Sequence, residues 1–265
     1  MRLLPAFLAF LALTLSATVQ ATDDLETLFT RATTDPDAVV PLVLEGSRRI
    51  ISADVAQGIT LAQRLEPYCQ RLFFSRERFP GMADAHVLLV PRDGHSLWTL
   101  ARRYHIGDQL VVRINPRDPS QYKVIDARAT PVTVVVSVAH HCLLLWLGST
   151  LLGIYPVASG APGHQTPLGT TQITVRVRDP EWRDPATGKV YPPHDPGNFL
   201  GGYWLGFAAT DARVFRGIGI HGWTAQEEGR WVGQDASHGC IRMRQTDLPE
   251  VFDLALPGSR VSIRK

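Results

Sequence analysis

After Val132 the sequence becomes a succession of apolar runs of strand length cut by glycine and proline, a pattern that leaves few architectures open. Residues 132–137, 142–147 and 151–155 are such runs, with turns containing Gly148 and Pro156 between them. Short strands joined by short turns predict an antiparallel or mixed β architecture. A rigid loop over 159–170 opens onto another strand at 172–177. The stretch 179–202, rich in proline, glycine and aspartate, reads as a long structureless loop that lines a groove with Trp182, Tyr191 and Phe199. Residues 246–254 read as a short helix, and Gly258 turns the chain into a last strand ending at Ile263.

The upstream half has a different grain. From Thr22 to about Arg78 glycine is sparse and no alternation appears, which predicts helices. Asp23 and Glu26 have capping-box spacing, with Leu25, Leu28 and Phe29 on one face. Asp35-Pro36 reads as a second helix start, and Ser52 as the N-cap of a third that runs to about Leu65, before Pro67. After Phe79-Pro80-Gly81 the character changes again: a strand at 86–90, a turn at Arg92-Asp93-Gly94, a capped helix over 96–104, and an amphipathic stretch ending at Ile114-Asn115-Pro116. The fold class expected is therefore α+β and multidomain: 22–80 helical, 84–130 a small βααβ module, 131–265 a β-rich domain of mixed sheets or a β-sandwich with a short helix.

The beginning of the sequence reads as a secretory signal over 1–21: Arg2, an apolar run from Leu3 to Leu15, and Val19-Gln20-Ala21 as a small-residue cleavage site. That apolar run is shorter than the roughly 18 residues a membrane-spanning helix needs, so the expectation is export to the periplasm or cell envelope with no stable membrane span after cleavage. Lysine and arginine number 27 against 25 for aspartate and glutamate, with no basic stripe interleaved with aromatics, so nucleic acid is not an expected partner. Three cysteines are too few for a disulfide scaffold, and an odd number leaves a thiol over in an oxidising compartment. Cys69 and Cys142 are open to pairing or to separate burial.

Cys240 is the cysteine with chemical neighbours, in Ser237-His238-Gly239-Cys240-Ile241-Arg242. A free thiol is only slightly ionised at neutral pH, so a nucleophilic cysteine needs an imidazole to take its proton. His238 shares a face with Cys240 if the segment is extended. His221 ends the apolar run Gly217-Ile218-Gly219-Ile220, which reads as a core strand delivering an imidazole at its tip. Gly239 lets the backbone turn tightly, so that amides at 238–240 point at a developing oxyanion.

His221-Gly222 followed by Ser237-His238-Gly239-Cys240-Ile241-Arg242-Met243 resembles the signature of L,D-transpeptidases of the YkuD type, and the Pro156-Val157 to Gly160 and Thr166-Pro167-x-Gly169 segments are similar to that family as well. The βααβ stretch, with Ser96-Leu97-Trp98 and Tyr104, resembles a LysM module, although Lys123-Val124-Ile125-Asp126 replaces the usual Gly-Gln before the last strand. The first resemblance implies that Cys240 attacks the bond between the diamino acid and terminal D-alanine of a peptidoglycan stem peptide. It implies His221 as base, the Gly222 carbonyl as its orienter, and the His238 and Gly239 backbone in the oxyanion hole. Ser237 and Arg242 follow as loop supports or substrate contacts, an amine from a second stem as acceptor, acylation by carbapenems, and no metal or organic cofactor. The second resemblance implies that the module binds glycan.

Three other readings compete. Water as acceptor would make a carboxypeptidase, and a silent cysteine domain would leave a LysM-type peptidoglycan-binding protein. A zinc site from His194, His221, His238 and Cys240 is legitimate donor chemistry, but it lacks any Cys-x-x-Cys or His-Glu-x-x-His spacing.

Overall fold

The computed structural model describes residues 24–117, 119–184, 186–209, 214–223 and 228–265. The signal-like segment and Asp23 lie outside the described residues. Helix α1 (Leu25–Ala32) follows Asp24, buries Leu28 and rests Leu25 and Phe29 against the core. Asp35 caps a short 3-10 turn, accepting from the Asp37 amide at 3.0 Å, and the turn runs into α2 (Val39–Ser52). Helix α3 (Val55–Cys69) lies along α2, with Gly46 on α2 where any Cβ would collide with Leu65. That close approach offsets the roughly 1 kcal/mol that glycine costs inside a helix.

Two expectations for this region fail for identifiable reasons. Ser52 does not cap the third helix, because its hydroxyl donates back to the Arg48 carbonyl (2.9 Å) at the end of α2. Asp54 caps instead, accepting from the Gln57 amide at 3.0 Å. Pro67 does not end α3, which runs through it and on into a π-helical turn, Gln70–Phe74. Proline inside a helix costs about 3 kcal/mol. The helix persists because tertiary packing holds both sides of it: Leu65 and Cys69 are buried, as are Leu72, Phe73 and Phe74 beyond.

The next unit is a βααβ arrangement: β1 (Val87–Pro91), α4 (Leu97–Tyr104), α5 (Asp108–Arg113) and β2 (Gln121–Ile125), with β1 and β2 antiparallel from Val87↔Ile125 to Pro91↔Gln121. Ser96 caps α4, accepting from the Thr99 amide at 3.1 Å. His86 precedes the strand, in the left-handed region at φ 62°. Buried Asn115 stitches α5 to β2 by donating to the Val111 and Lys123 carbonyls and accepting the Lys123 amide. Lys123 itself is buried, and its ammonium donates to the Ser75 and Glu77 carbonyls at 3.0 and 2.7 Å, tying this unit to the helical segment.

The remainder is the β-rich domain. Its strands are β3 (Val132–Ser137), β4 (Cys142–Leu147), β5 (Thr150–Gly160), β6 (Gly169–Arg178), the short pair β7 (Trp182–Arg183) and β8 (Val190–Tyr191), and β9 (Tyr203–Phe207). Then come β10 (Gly219–His221), α6 (Glu228–Trp231), β11 (Asp235–Ser237), β12 (Ile241–Met243), α7 (Leu248–Leu254) and β13 (Arg260–Arg264). The order β11-β5-β12-β10-β9-β6-β13-β3-β4 is completed by pairing of β4 with β5, so the mixed sheet closes on itself. Pro156 is not the turn expected of it. β5 passes straight through it, because here the strand changes partner from β4 to β12, and a residue without an N–H loses nothing where the ladder switches. The 179–202 loop is also not structureless, since it folds into the β7–β8 hairpin.

All three parts share one core. The helical segment packs on β5, where the Leu151 and Ile154 amides donate to Ser47 (2.9 Å) and Glu66 (3.0 Å). Gln70 bridges the Glu66 and Glu250 carboxylates at 2.9 Å each, and Glu250 also accepts from the Tyr155 hydroxyl at 2.8 Å. Cys69 and Cys142 are both buried free thiols. Among the described residues no helix is long and apolar enough to cross a membrane.

Candidate active site

β10 and β12 are parallel neighbours in the register Ile220↔Ile241 and His221↔Arg242. Cross-strand partners share a face, and alternate residues along a strand return to it. His221 and Arg242 therefore stand side by side, and Cys240 lies in the bend just before β12. The other flank of His221 is Trp204 of β9, its register partner, with ring centroids 6.0 Å apart. The sequence-predicted strand tip is thus paired with the strand that directly follows the cysteine loop.

His221 is buried, and its Nδ1 donates to the Gly222 carbonyl at 2.5 Å. A carbonyl only accepts, so Nδ1 carries the hydrogen and Nε2 keeps the basic lone pair. Gly222 is held in turn by its amide, which donates to the Leu200 carbonyl at 3.0 Å, and by Gln245, which fills the space any Cβ would need. Burial pushes the imidazole down to about 4, and the Arg242 charge adds to that. The Gly222 and Phe199 carbonyls pull the other way without prevailing.

Cys240 is partly exposed, with its thiol 3.7 Å from the Gly217 carbonyl. Burial pushes the thiol above its ordinary value, while the Gly219 amide and the Arg242 charge oppose that shift. Both shifts favour the neutral forms, a thiol and an imidazole, at neutral pH. Such a pair suits general-base catalysis, in which the proton leaves sulfur as the new bond forms.

The loop before Cys240 is held from inside. Ser237 is buried; its hydroxyl donates to the Cys240 carbonyl at 2.5 Å and accepts the Gly239 amide at 3.0 Å. Gly239 has φ +113°, and a Cβ there would lie 3.1 Å from Ile218 Cδ1, so only glycine fits. His238 is exposed, its ring edge-on to that of His164 at 4.9 Å. Arg242 is buried, donates to the Ala236 carbonyl at 3.0 Å, and lies over the Trp223 ring at 3.7 Å. The hydrogen bonds seen for Ser237, and the one seen for Arg242, run to the loop itself.

Sequence reasoning missed Trp223, although it directly follows His221-Gly222. Trp223 stacks on Phe199 (4.8 Å, 15°), Phe199 meets Trp182 at 4.9 Å, and Trp182 stacks on Tyr191 at 5.3 Å. The aromatic residues of the 179–202 loop thus form a file that ends on Arg242. Among the described residues no three His, Cys, Asp or Glu side chains are placed to hold a metal ion, and His194 instead lies beside Asp179, at 3.6 Å.

Comparison with known proteins places these features in a family. Residues 131–263 match the family model described as the L,D-transpeptidase catalytic domain. YqjB of Bacillus subtilis (strain 168), named as an L,D-transpeptidase, is 32% identical over 151 residues, covering 56% of this chain and 74% of that protein. YkuD of the same organism, similarly named, is 27% identical over 183 residues, covering 66% of this chain and 96% of its own length. A solved L,D-transpeptidase from Mycobacterium smegmatis superposes on 51% of this chain and 59% of its own, with a TM-score of 0.42 and 18% identity.

Proposed function

The chain belongs to the L,D-transpeptidase family, and from that premise we propose that it is an exported cysteine acyltransferase that cross-links peptidoglycan stem peptides. The observation that supports this reading is the parallel pairing of β10 with β12, in which His221 is the partner of Arg242, two residues after Cys240.

The steps follow from the groups present. Cys240 Sγ attacks the carbonyl carbon joining the diamino acid to terminal D-alanine, and its proton passes to His221 Nε2. The tetrahedral oxygen is held by backbone amides of the 238–240 turn. Gly239 contributes mainly by shaping that turn, since its own amide already serves Ser237. Removing one such oxyanion donor costs on the order of 3 kcal/mol in other acyl-transfer enzymes. Collapse breaks the C–N bond, His221 returns the proton to the departing amine, and a thioester remains. An amine of a second stem attacks that thioester, gives its proton to His221, and the C–S bond breaks to restore the thiol. Water in that place would give the carboxypeptidase. Ser237 and Arg242 act as loop supports, and no step calls on a metal or organic cofactor.

The βααβ unit supports a second element of the proposal, a LysM-like module that holds glycan. It has the strand-helix-helix-strand order of such modules, and Trp98 is 59% exposed on α4. The buried Lys123, where the usual Gly-Gln is missing, docks the module on the helical segment rather than on a sugar.

Incubating the chain that lacks 1–21 with disaccharide tetrapeptide and resolving products by mass tests the reaction. Dimer with released D-alanine is the expected result; trimmed tripeptide selects the carboxypeptidase, and no change leaves the glycan-binding reading. Intact-protein mass spectrometry should show a carbapenem adduct that vanishes in Cys240→Ala. A persisting adduct would sink the nucleophile assignment.

A further inference from the structure

Trp223 lies outside every motif that the sequence points to, yet it touches both halves of the site. Its indole is the surface on which the Arg242 guanidinium rests at 3.7 Å, and its ring is stacked on Phe199 at 4.8 Å and 15°. Arg242 is the register partner of His221 and the one charge, among the described residues, that acts on both reacting groups. Phe199 belongs to the aromatic file of the 179–202 loop, and its carbonyl also bears on His221. Arg242 has little else to hold it: NH1 donates to the Ala236 carbonyl at 3.0 Å, and buried Nε has no partner among the described residues.

We infer that Trp223 is a positioning residue that seats the Arg242 guanidinium alongside His221 and Cys240 and couples this seat to the 179–202 loop through Phe199. This rests on the assignment of His221 and Cys240 as the reacting pair. A cation over an indole is the strongest of the aromatic seats, and desolvation strengthens it further. The seated charge lies where it favours the neutral imidazole and the ionised thiolate, the two forms that attack requires.

The groups that face the pair fix the sign of the effect. His221 is faced by Arg242 from β12, Trp204 from β9, the Gly222 carbonyl beside it and the Phe199 carbonyl from the loop. Cys240 is faced by Arg242, the Gly219 amide and the Gly217 carbonyl. A positive charge that moves away raises the pKa of both groups. Mere loosening that admits water acts differently: it relieves burial, so the imidazole rises while the thiol falls. The direction in which the thiol moves therefore separates positioning from a purely structural role.

The test is the pH dependence of iodoacetamide alkylation of Cys240 in the whole chain, read by mass, beside NMR titration of the His221 imidazole. Cys69 and Cys142 are buried, and Cys240→Ala supplies the blank. In Trp223→Leu both midpoints should move up, with alkylation at pH 8 slower by about threefold or more, the effect of half a pKa unit. Trp223→Phe should keep most of the wild-type behaviour, and Trp223→Leu should add nothing in an Arg242→Met background. A thiol midpoint that falls while the imidazole's rises, or unchanged midpoints in a folded Trp223→Leu, would overturn the inference. Iodoacetamide needs no peptidoglycan, so failure of the transpeptidase reading would show separately, as wild-type protein that alkylates normally but forms no thioester with tetrapeptide.

Discussion

Ser237→Ala separates a residue that holds the loop from one that holds substrate. The hydroxyl is buried and makes two hydrogen bonds, to the Cys240 carbonyl at 2.5 Å and from the Gly239 amide at 3.0 Å. Leaving a buried donor or acceptor without its partner costs about 1–3 kcal/mol per group, so two such groups amount to about 2–6 kcal/mol. Water entering the exposed mouth of the site offsets part of this, and about 3 kcal/mol is the expected loss. At about 2–4 °C per kcal/mol for a domain of this size, the melting temperature should fall by about 6–12 °C. The acylation rate should fall with it, because the amides of the 238–240 turn lose their fixed aim at the oxyanion. Thermal unfolding and single-turnover acylation measure the two effects, and Ser237→Thr should recover much of each. A variant with unchanged stability and kcat but a raised KM would instead make Ser237 a substrate contact.

Other outcomes follow from the same structure. The folded pKa of His221, about 4, lies below its unfolded value of 6.5, so protonation of the unfolded chain removes stability as pH falls from 6.5 to 4, by about 3 kcal/mol in all. Denaturant titrations across that range should show the loss, and His221→Gln should flatten it. Asp253 on α7 is buried near Arg113 (3.6 Å) of α5 and near Arg178 (3.7 Å) and Arg176 (4.0 Å) of β6, with burial lifting its carboxyl to about 6. Asp253→Asn removes the shared counter-charge, so a loss of about 3–5 kcal/mol is expected, with faster limited proteolysis between the βααβ unit and the β-rich domain. Trp98→Ala removes an exposed ring that Arg102 covers at 4.6 Å; sedimentation with insoluble peptidoglycan should weaken several-fold while Cys240 acylation is unchanged, and full retention would count against glycan binding by this module.

A helical segment, a βααβ unit and a β-rich remainder are legible in the chain, because hydrophobic period and turn chemistry are local properties. The sequence also marks Cys240 and His221 as the candidate reacting pair. A thiol next to glycine and a second histidine at the end of an apolar run are written in consecutive residues, and the φ of +113° at Gly239 bears out the tight turn read there. Local signals misled where tertiary packing outweighed them. Pro67 was expected to stop a helix that packing carries onward, and Pro156 to make a turn where β5 merely changes partner. Three features depend on contacts between distant segments. The sheet closes on itself through β4 and β5, so that β10 can lie parallel to β12. Ser237 bonds the Cys240 carbonyl and the Gly239 amide, and Arg242 bonds the Ala236 carbonyl, partners that residue spacing does not specify. Trp223 and Phe199, 24 residues apart in number (223 − 199), stack beneath Arg242 because strand pairing, not sequence spacing, chooses which side chains meet. Contacts between distant segments depend on register and closure, and these are free-energy choices of the whole fold that no short stretch records.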